Sequence, residues 1–200
     1  MAYAVPAVLI ILILCPLIMI FIRAFVSDGR IDIAAFFSVI ARSRNARMIA
    51  NSILLGIAVV AMSTVIAFPL AYFLSKTPLS RFRFLDIIFM IPFMTPPYIA
   101  SMGWILFMQK RGLLQQLIPA AAGSENAFFS FFGLAFVMSL HVFPFMMTIL
   151  RNAMVNIPDS LDDAAAVLGA RPFLRMRRIF IPLLSGNYAI GALLVFVKTL

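Results

Sequence analysis

Few side chains in this 200-residue chain could carry out covalent chemistry. There is a single cysteine, Cys15, and a single histidine, His141, and both lie in long apolar stretches that contain no carboxylate. One cysteine excludes an internal disulfide and a multi-cysteine metal site, so an inert buried thiol is the expected state of Cys15. A membrane-embedded enzyme would need clustered acids, histidines or cysteines. The sequence therefore predicts neither a catalytic site nor a metal site.

His141 and Lys198 lie deep inside apolar stretches, where ionisable groups are costly and mark transport paths by default. At 1.5 Å per helical residue, His141 lies roughly 14 Å from the end of its stretch and Lys198 roughly 20 Å into the last one. We expect both to face a polar path suited to an anionic solute or a metal chelate. The alternatives are a packing role for His141 and snorkelling of Lys198 towards an edge. Asn187 and Tyr188 are further candidates for this path.

The longest polar connection, from Arg151 to about Pro182, predicts two short helices joined as an elbow. Ser160, followed three residues later by an acid, approximates a capping box, and Gly169 supplies the stop of the first helix. Pro172 is favoured at the first position of the second helix. Such an elbow can seat itself in a cleft of a partner protein, or it can rest on the bilayer as an amphipathic loop.

The two predicted helices of the elbow carry different faces. The first has a small-residue apolar face made of Leu161, Ala164, Ala165 and Leu168. The second has an aromatic face made of Phe173, Met176 and Phe180, and a basic one made of Arg171, Arg175 and Arg178. Alanines permit close backbone approach, and arginines can meet lipid phosphates or acidic groups of a partner.

The composition indicates that lipid surrounds the elements that position these residues. Hydrophobic residues make up 64% of the chain and charged residues 12%, which is too apolar for one soluble domain. The formal charge is +9, but the basic residues that produce it lie between apolar runs rather than on a polar surface. Nucleic-acid binding is therefore not expected. The chain is predicted to be a multi-pass membrane protein.

Five apolar stretches are candidates for membrane spans, since about 20 helical residues cross the hydrocarbon layer. They are residues 1–22, 53–74, 87–108, 127–150 and a run from about 185 that is still apolar at Leu200. Continuous rather than alternating apolarity favours helices over barrel strands. We therefore predict an all-α, polytopic transmembrane helical bundle whose fifth span is incomplete. Pro96 and Pro97 are expected to break or kink the third span.

Orientation cannot be read from the loops, because basic residues number eight on one side and seven on the other. Between the first two spans, Ile33, Phe36, Phe37 and Ile40 fall at helical spacing, which predicts an amphipathic helix along the membrane surface.

The elbow resembles the cytoplasmic signature of the permease subunits of type-1, binding-protein-dependent ABC importers. That signature reads E-A-A, two variable residues, a hydrophobic residue, Gly, nine variable residues, then I-x-L-P. This chain has Asp163, Ala164, Ala165, Leu168 and Gly169, then nine residues, then Ile179 to Pro182, with Asp in place of Glu and Ile181 in place of Leu. The spacing matches throughout.

The resemblance implies a MetI-like permease fold and a division of the chain into two parts. Residues 1–46 would hold the first span and the extracytoplasmic amphipathic segment. Residues 47–200 would hold an incomplete transmembrane domain, with the loop 151–184 docking an ATPase. The docking residues would be Asp163, Ala164, Ala165, Leu168, Gly169, Ile179 and Pro182. The loop and the N-terminus would both be cytoplasmic, at the inner (plasma) membrane.

By the same resemblance, this subunit moves a small solute by alternating access and is not itself an enzyme. Its implied partners are cytoplasmic ATPase subunits, an extracytoplasmic solute-binding protein and a second permease half or subunit. No cofactor would be bound by this chain, which has no G-x-x-x-x-G-K-[ST] sequence, and ATP would bind the partner ATPase.

Phe143-Pro144-Phe145 stands where related permeases often carry Y-P-Y, which is similar to permeases for iron(III), polyamines, thiamine or phosphonates. A first half of a fused, double-length permease would look like this chain. The alternative function is that of a secondary transporter without an ATPase, and the proline pair at 96 and 97 fits it.

Overall fold

The computed structural model describes residues 4–27, 30–31 and 33–200. Its architecture is all-α as predicted, apart from one pairing of two-residue strands. The chain divides into two compact units, residues 1–51 and 52–200. The predicted boundary after residue 46 lies inside helix α3 (Ser43–Lys76), and the assignment of functions to the two parts stays a prediction.

The first unit begins with α1 (Ala4–Phe25), which is followed by β1 (Val26–Ser27), β2 (Arg30–Ile31) and α2 (Ile33–Ala41). The two strands pair antiparallel, with Val26 opposite Ile31. On α2, Phe37 and Ile40 are exposed, and so are Ser38 and Val39 between them, so the amphipathic character of this helix stays a prediction. The structure does not describe the side chains of Ile33 and Phe36. It also does not describe those of the first nine residues of the predicted first span.

The second unit contains the rest of α3 and all later helices. In chain order these are α4 (Arg83–Met94), α5 (Pro97–Met108), α6 (Leu113–Leu117), α7 (Ser124–Phe128), α8 (Phe131–Val155), α9 (Asp159–Val167), α10 (Pro172–Arg175) and α11 (Ile181–Thr199). Short 3-10 turns cover Pro78–Arg81 and Pro119–Ala121.

Among the described residues, three helices are long and apolar enough to cross a membrane: Ser43–Lys76, Phe131–Val155 and Pro172–Thr199. A bent pair, Phe84–Met94 with Pro97–Leu117, makes a fourth if it is one span, and Ile10–Phe25 is a shorter apolar helix. The second predicted span is therefore longer than expected, because the polar residues from Ser43 onwards join the same helix.

The predicted break at the proline pair is confirmed and is sharper than a kink. Helix α4 ends at Met94, α5 begins at Pro97, and their axes differ by 89°. Neither proline can donate the backbone hydrogen bond that would continue α4, and Thr95, which precedes Pro96, is driven into an extended conformation. The threonine hydroxyl donates to the Ile91 carbonyl at 2.9 Å, which also accepts from the Thr95 N–H at 3.1 Å.

The core of the second unit lies where α3, α8 and α11 meet. Small residues of α3 lie seven, four and four positions apart, so they share one buried face: Gly56, Ser63, Ala67 and Ala71. A Cβ at Gly56 would lie 2.6 Å from the Phe196 ring of α11. Helix α8 fills the remaining space with buried Met146, Met147, Leu150 and Met154.

Candidate functional site

Helix α9 forms the first arm of the predicted elbow. Asp159 and Asp162 lie in its first turn, where carboxylates interact favourably with the helix dipole. The predicted capping box is wrong: the cap is Pro158, no side chain caps the helix, and Ser160 is already its second residue. A serine inside the helix no longer has the extended backbone that a capping residue needs.

Gly169 ends this arm, as predicted. Its φ of +79° lies in the left-handed region that suits glycine. The Gly169 N–H donates to the Ala166 carbonyl and the Ala170 N–H donates to the Ala165 carbonyl, both at 2.9 Å. This is the Schellman arrangement, in which two otherwise free carbonyls of the last turn gain donors and the chain reverses.

The second arm begins at Pro172, as predicted, but it is not a separate short helix. Helix α10 continues through a π-helical turn, Met176–Phe180, directly into α11. In that turn the Ile181 N–H donates five residues back to the Met176 carbonyl. Since Pro182 lacks an N–H for the usual partner four residues back, the wider turn lets the helix continue past it. The predicted loop 151–184 is therefore shortened, because Arg151 also belongs to a helix, α8.

The predicted docking residues are largely accessible. On α9 and its stop, Asp163, Ala164, Leu168 and Gly169 are exposed and Ala165 is half-buried; further on, Ile179 is half-buried and Pro182 exposed. Leu168 exposes 86% of its surface. The apolar surface also includes Val167 and Phe173, which are 88% and 78% exposed. Sequence reasoning did not assign Val167, because it lies beside the predicted helix face rather than on it.

The predicted aromatic face of the second arm is only partly correct. Phe173 is exposed, but Phe180 is 2% exposed and packs edge-on against Tyr72 of α3, with ring centroids 5.9 Å apart. The π turn changes the angular spacing, so Phe173 and Phe180 do not share one environment. Phe180 therefore anchors the elbow to the core instead of extending its outer surface.

An ion pair holds the two arms together. Arg175 Nη1 donates to Asp162 Oδ2 at 2.9 Å and to the Asp162 carbonyl at 3.3 Å. The side chains are 18% and 27% exposed, so the pair is screened less than one on an open surface. The expectation that Arg175 meets lipid or a partner is wrong, because its guanidinium is engaged inside the elbow. The two residues lie thirteen positions apart, on different helices, so no spacing within one helix could have revealed the pair.

Two further ion pairs attach neighbouring helices at the same end of the unit. Lys76, the last residue of α3, donates to the Ile157 carbonyl at 2.8 Å and to Asp159 Oδ1 at 2.5 Å. Arg151 of α8 pairs with Asp86 of α4. In the sequence, Lys76 and Arg151 counted only as membrane-flanking charges. The fold instead uses them to fasten α3 to the start of α9 and α8 to α4.

A cavity of about 390 Å³ lies where the bend between α4 and α5 faces α8 and α11. Both principal path candidates, His141 and Lys198, line it, although 57 residues separate them in sequence. Its remaining lining is mainly apolar: Pro92, Thr95, Pro97, Ala100, Ser101, Trp104, Val137, Met138, Leu140, Val142, Phe143 and Thr199. Both side chains thus line one space, although its lining is mainly apolar, and the predicted polar transport path stays a prediction.

Phe93 links the two ionisable side chains. The Lys198 ammonium lies 4.3 Å from the centre of the Phe93 ring, a cation–π contact. The other ring contacts of Phe93 are stacked, with His141 at 6.2 Å and with Phe145 at 5.7 Å between centroids. His141 Nδ1 is buried and has no hydrogen-bond partner among the described residues. Phe93 escaped sequence analysis because it is one of 21 phenylalanines.

Asn187 and Tyr188 do not line this cavity. Asn187 is exposed, and the Tyr188 hydroxyl lies 3.4 Å from Thr64 Oγ1 in the contact between α11 and α3. In the part of the chain that the structure describes, no three His, Cys, Asp or Glu side chains cluster in a way that could hold a metal ion.

Comparison with known sequences places these features in a family context. Residues 63–200 match the sequence model of a family described as "Binding-protein-dependent transport system inner membrane component". The match covers more than half of the chain, and it includes the cavity as well as the whole elbow.

Curated relatives carry related descriptions. The ferric transport system permease protein FbpB of Actinobacillus pleuropneumoniae is 29% identical over 189 residues, 92% of this chain and 27% of that protein. The inner membrane ABC transporter permease protein YdcU of Escherichia coli is 28% identical, over 78% of this chain and 55% of that protein. The molybdenum transport system permease protein ModB of Mycobacterium bovis is 23% identical, over 86% and 64%. The chain thus spans less than two thirds of the length of these relatives.

Proposed function

Because the chain belongs to the family of binding-protein-dependent transport system inner membrane components, we propose that it is the permease part of an ATP-driven importer. It is a multi-pass membrane protein of a transport system rather than a soluble catalyst. In this proposal a separate ATPase binds and hydrolyses ATP, and this chain binds no cofactor. An extracytoplasmic binding protein delivers the solute, and a second permease half or subunit completes the path.

The observation that carries the proposal is the exposed apolar surface of the elbow. Leu168, Val167 and Phe173 present large apolar side chains on a connection that also carries exposed charged residues. Exposed apolar patches rimmed by polar residues mark protein interaction sites. The Asp162–Arg175 pair presents that surface in one fixed geometry, which lowers the entropy cost of docking.

The contacts of the elbow also support a route for force. Its first arm is fastened to α3 through Lys76, and its second arm runs without interruption into α11. A push on the elbow would therefore displace two spanning helices together. Rigid-body motions of packed helices are a known means of switching between two states. We propose that such a motion opens the cavity alternately to the two sides of the membrane.

The proposal fixes an orientation that the charge count left open. With the elbow in the cytoplasm, α11 runs outward and α8 inward, the bent pair α4–α5 runs outward and α3 inward. Two crossings, those of α1 and α3, then precede the cytoplasmic end of α3, so α1 would start in the cytoplasm. Labelling of the L168C variant with an impermeant maleimide, in intact cells and in inverted vesicles, measures this orientation. Labelling only in inverted vesicles is expected.

Crosslinking tests the docking itself. In a C15A background, the A165C and L168C variants are expected to capture a nucleotide-hydrolysing subunit when a short bifunctional crosslinker is added. The matched control is L79C, since Leu79 is an exposed apolar residue outside the elbow. Equal capture from all three positions, or no capture from the elbow in folded protein, would contradict the proposal.

A secondary transporter remains the competing function, and the broken helix α4–α5 is the observation that favours it. Discontinuous helices at mid-membrane form the binding sites of several secondary transporters. Such a protein has no need for an exposed apolar elbow. Uptake that continues in vesicles with an ion gradient and no ATP would support this alternative, and uptake that requires ATP would exclude it.

The relatives' names suggest metal-containing solutes, since they mention ferric and molybdenum transport. We propose iron(III), or another small charged solute, as the substrate class to test first. Uptake of radiolabelled iron by cells that carry or lack the complete gene measures this.

A further inference from the structure

The cavity beside the α4–α5 bend carries an electrostatic signature of its own. Lys198 is the charged member of its lining, and no Asp or Glu is among the residues that line it. Within the described ranges, the Lys198 ammonium makes no ion pair, and its recorded contact is with the ring of Phe93. A ring face holds an ammonium in place without neutralising its charge. The space therefore contains an uncompensated positive charge.

The hydroxyl groups of the cavity leave the recognition of an anion to other side chains. The hydroxyls of Thr95, Ser101 and Thr199 all donate to helix carbonyls, at 2.9, 2.8 and 2.8 Å. A hydroxyl has one proton, so these three can only accept from a ligand. An anion needs donors, and an ammonium offers three. Recognition of an anionic group consequently falls to Lys198, with the Trp104 indole, which is a donor, and the His141 imidazole as further polar groups in the lining.

The size and depth of the cavity suit a solute rather than a single ion. Small-molecule pockets usually measure about 300–1,000 Å³, and this one measures about 390 Å³. His141 lies fourteen residues before Val155, so about 21 Å along α8 from its elbow end. An ionisable residue at that depth of a hydrocarbon layer about 30 Å thick is a functional candidate.

We infer that this cavity binds the anionic oxygens of the transported solute, a carboxylate or oxyanion group, with Lys198 as the charge partner. The inference rests on the proposed function, in which the cavity lies on the transport path. It restricts the substrate class: a bare trivalent or divalent cation would meet the Lys198 charge without a compensating carboxylate. A metal ion would cross here only as an anionic complex, with the negative charge of its ligands facing Lys198.

The chain contains its own reporter for this binding. Trp104 lines the cavity and is the single tryptophan of the sequence. Purified protein in uncharged maltoside micelles, free of added lipid, is titrated with sodium citrate and separately with sodium phosphate while tryptophan fluorescence is recorded. Sodium chloride at the same ionic strength and magnesium chloride serve as the comparison salts. The W104F variant identifies which part of the signal comes from the cavity.

The expected result is a saturable change with citrate or phosphate and none with either chloride salt. The K198M variant should weaken the midpoint at least tenfold, and K198R should keep it within about threefold. The matched control is K110M, because Lys110 is exposed and outside the cavity lining. Equal midpoints in K198M and the unmodified protein, or a response to magnesium chloride alone, would overturn the inference.

A lipid phosphate could offer the same chemistry as a solute oxyanion, so a second titration separates the two. Phosphatidylglycerol is added to the same micelles in place of citrate. A Lys198-dependent response to phosphatidylglycerol, without any response to citrate or phosphate, would make the cavity a headgroup site and overturn the inference.

Failure of the anion site and failure of the importer proposal give different results. Crosslinking of L168C to an ATPase does not depend on Lys198, so K198M should leave it unchanged. If crosslinking fails while the citrate response holds, the docking proposal is wrong and the anion preference stands. If crosslinking succeeds while citrate gives no response, the importer proposal stands and the anion preference is wrong.

Discussion

The elbow and the cavity represent two opposite ways of building a functional region. The elbow turns apolar side chains outward and pairs Asp162 with Arg175 inside itself, while other charged residues such as Asp163 and Arg171 are exposed. The cavity is lined mainly by apolar and aromatic side chains. Its charged lining residue, Lys198, makes no ion pair within the described part of the chain. The comparison suggests what each region is prepared to meet. An exposed apolar surface rimmed by charged residues suits a protein partner, whereas a cationic side chain that lines a cavity suits a small ion of opposite sign.

The largest effect is expected from a charge placed on the elbow surface. L168D should reduce affinity for the ATPase at least thirtyfold, since central apolar side chains of interfaces contribute about 2 kcal/mol or more. L79D, at an exposed leucine outside the elbow, is the control. Co-purification at several salt concentrations measures the affinity. If L168D and L79D bind the ATPase with equal affinity, the elbow is not the docking surface.

The ion pair inside the elbow should have the next largest effect. R175M leaves the partly buried Asp162 carboxylate without its partner, which should cost about 1–3 kcal/mol of elbow stability, less than for a fully buried pair. The crosslinking yield from L168C should fall accordingly. The double variant D162N/R175M should recover part of the loss, because neither charge is then unpaired. Additive losses in that cycle would show that the pair does not couple the arms.

Two glycine-to-alanine substitutions distinguish backbone strain at a positive φ from the effect of helix propensity. G169A places a Cβ on a backbone with φ of +79°, which should destabilise the elbow by about 1 kcal/mol. G186A, in the middle of α11 where a Cβ meets nothing within 4 Å, should instead be neutral or slightly stabilising. Hydrogen exchange of the Gly169 to Pro172 backbone measures the first effect, and thermal unfolding in detergent the second. Equal behaviour of the two variants would contradict the role given to the left-handed stop.

The smallest effect is expected in the cavity, from F93L. This change keeps an apolar side chain but removes the ring face beneath the Lys198 ammonium, a contact worth about 0.5–1 kcal/mol. The citrate midpoint should weaken about twofold to fivefold, because the ammonium is no longer held over the cavity. ATPase crosslinking from L168C should not change. F82L, at an exposed phenylalanine outside the cavity, is the matched control. A loss of crosslinking in F93L would mean that the two regions are not energetically separate.

Much of the elbow was predictable because its geometry is local. Gly169 as a stop and Pro172 as a start depend on backbone preferences that act within a few residues. The predicted capping box was wrong because α9 begins at Asp159, two residues earlier than a cap at Ser160 requires. The prediction of a separate second helix was wrong because a π turn lets the helix continue past Pro182. Both errors concern where a helix begins or continues, which depends on how neighbouring turns share hydrogen bonds.

The ionisable residues of the cavity were predictable from the sequence, but the packing of helices that forms the cavity was not. His141 and Lys198 stood out because charge inside apolar sequence is rare. The contribution of Phe93, and the absence of Asn187 and Tyr188 from the lining, required knowing how α4, α8 and α11 pack. Apolar side chains at mid-helix look alike in a sequence, and only the packing shows which of them face a common space.

By itself, the sequence determined that this is a helical membrane protein with a glycine-hinged elbow, because apolar length, proline placement and motif spacing are properties of consecutive residues. Only the tertiary structure decided which charges are paired, which phenylalanine holds Lys198, and that the bend at Pro96 and Pro97 bounds a cavity. The physical reason is that these outcomes join residues far apart in the chain, whose meeting depends on the packing of whole helices rather than on local preference.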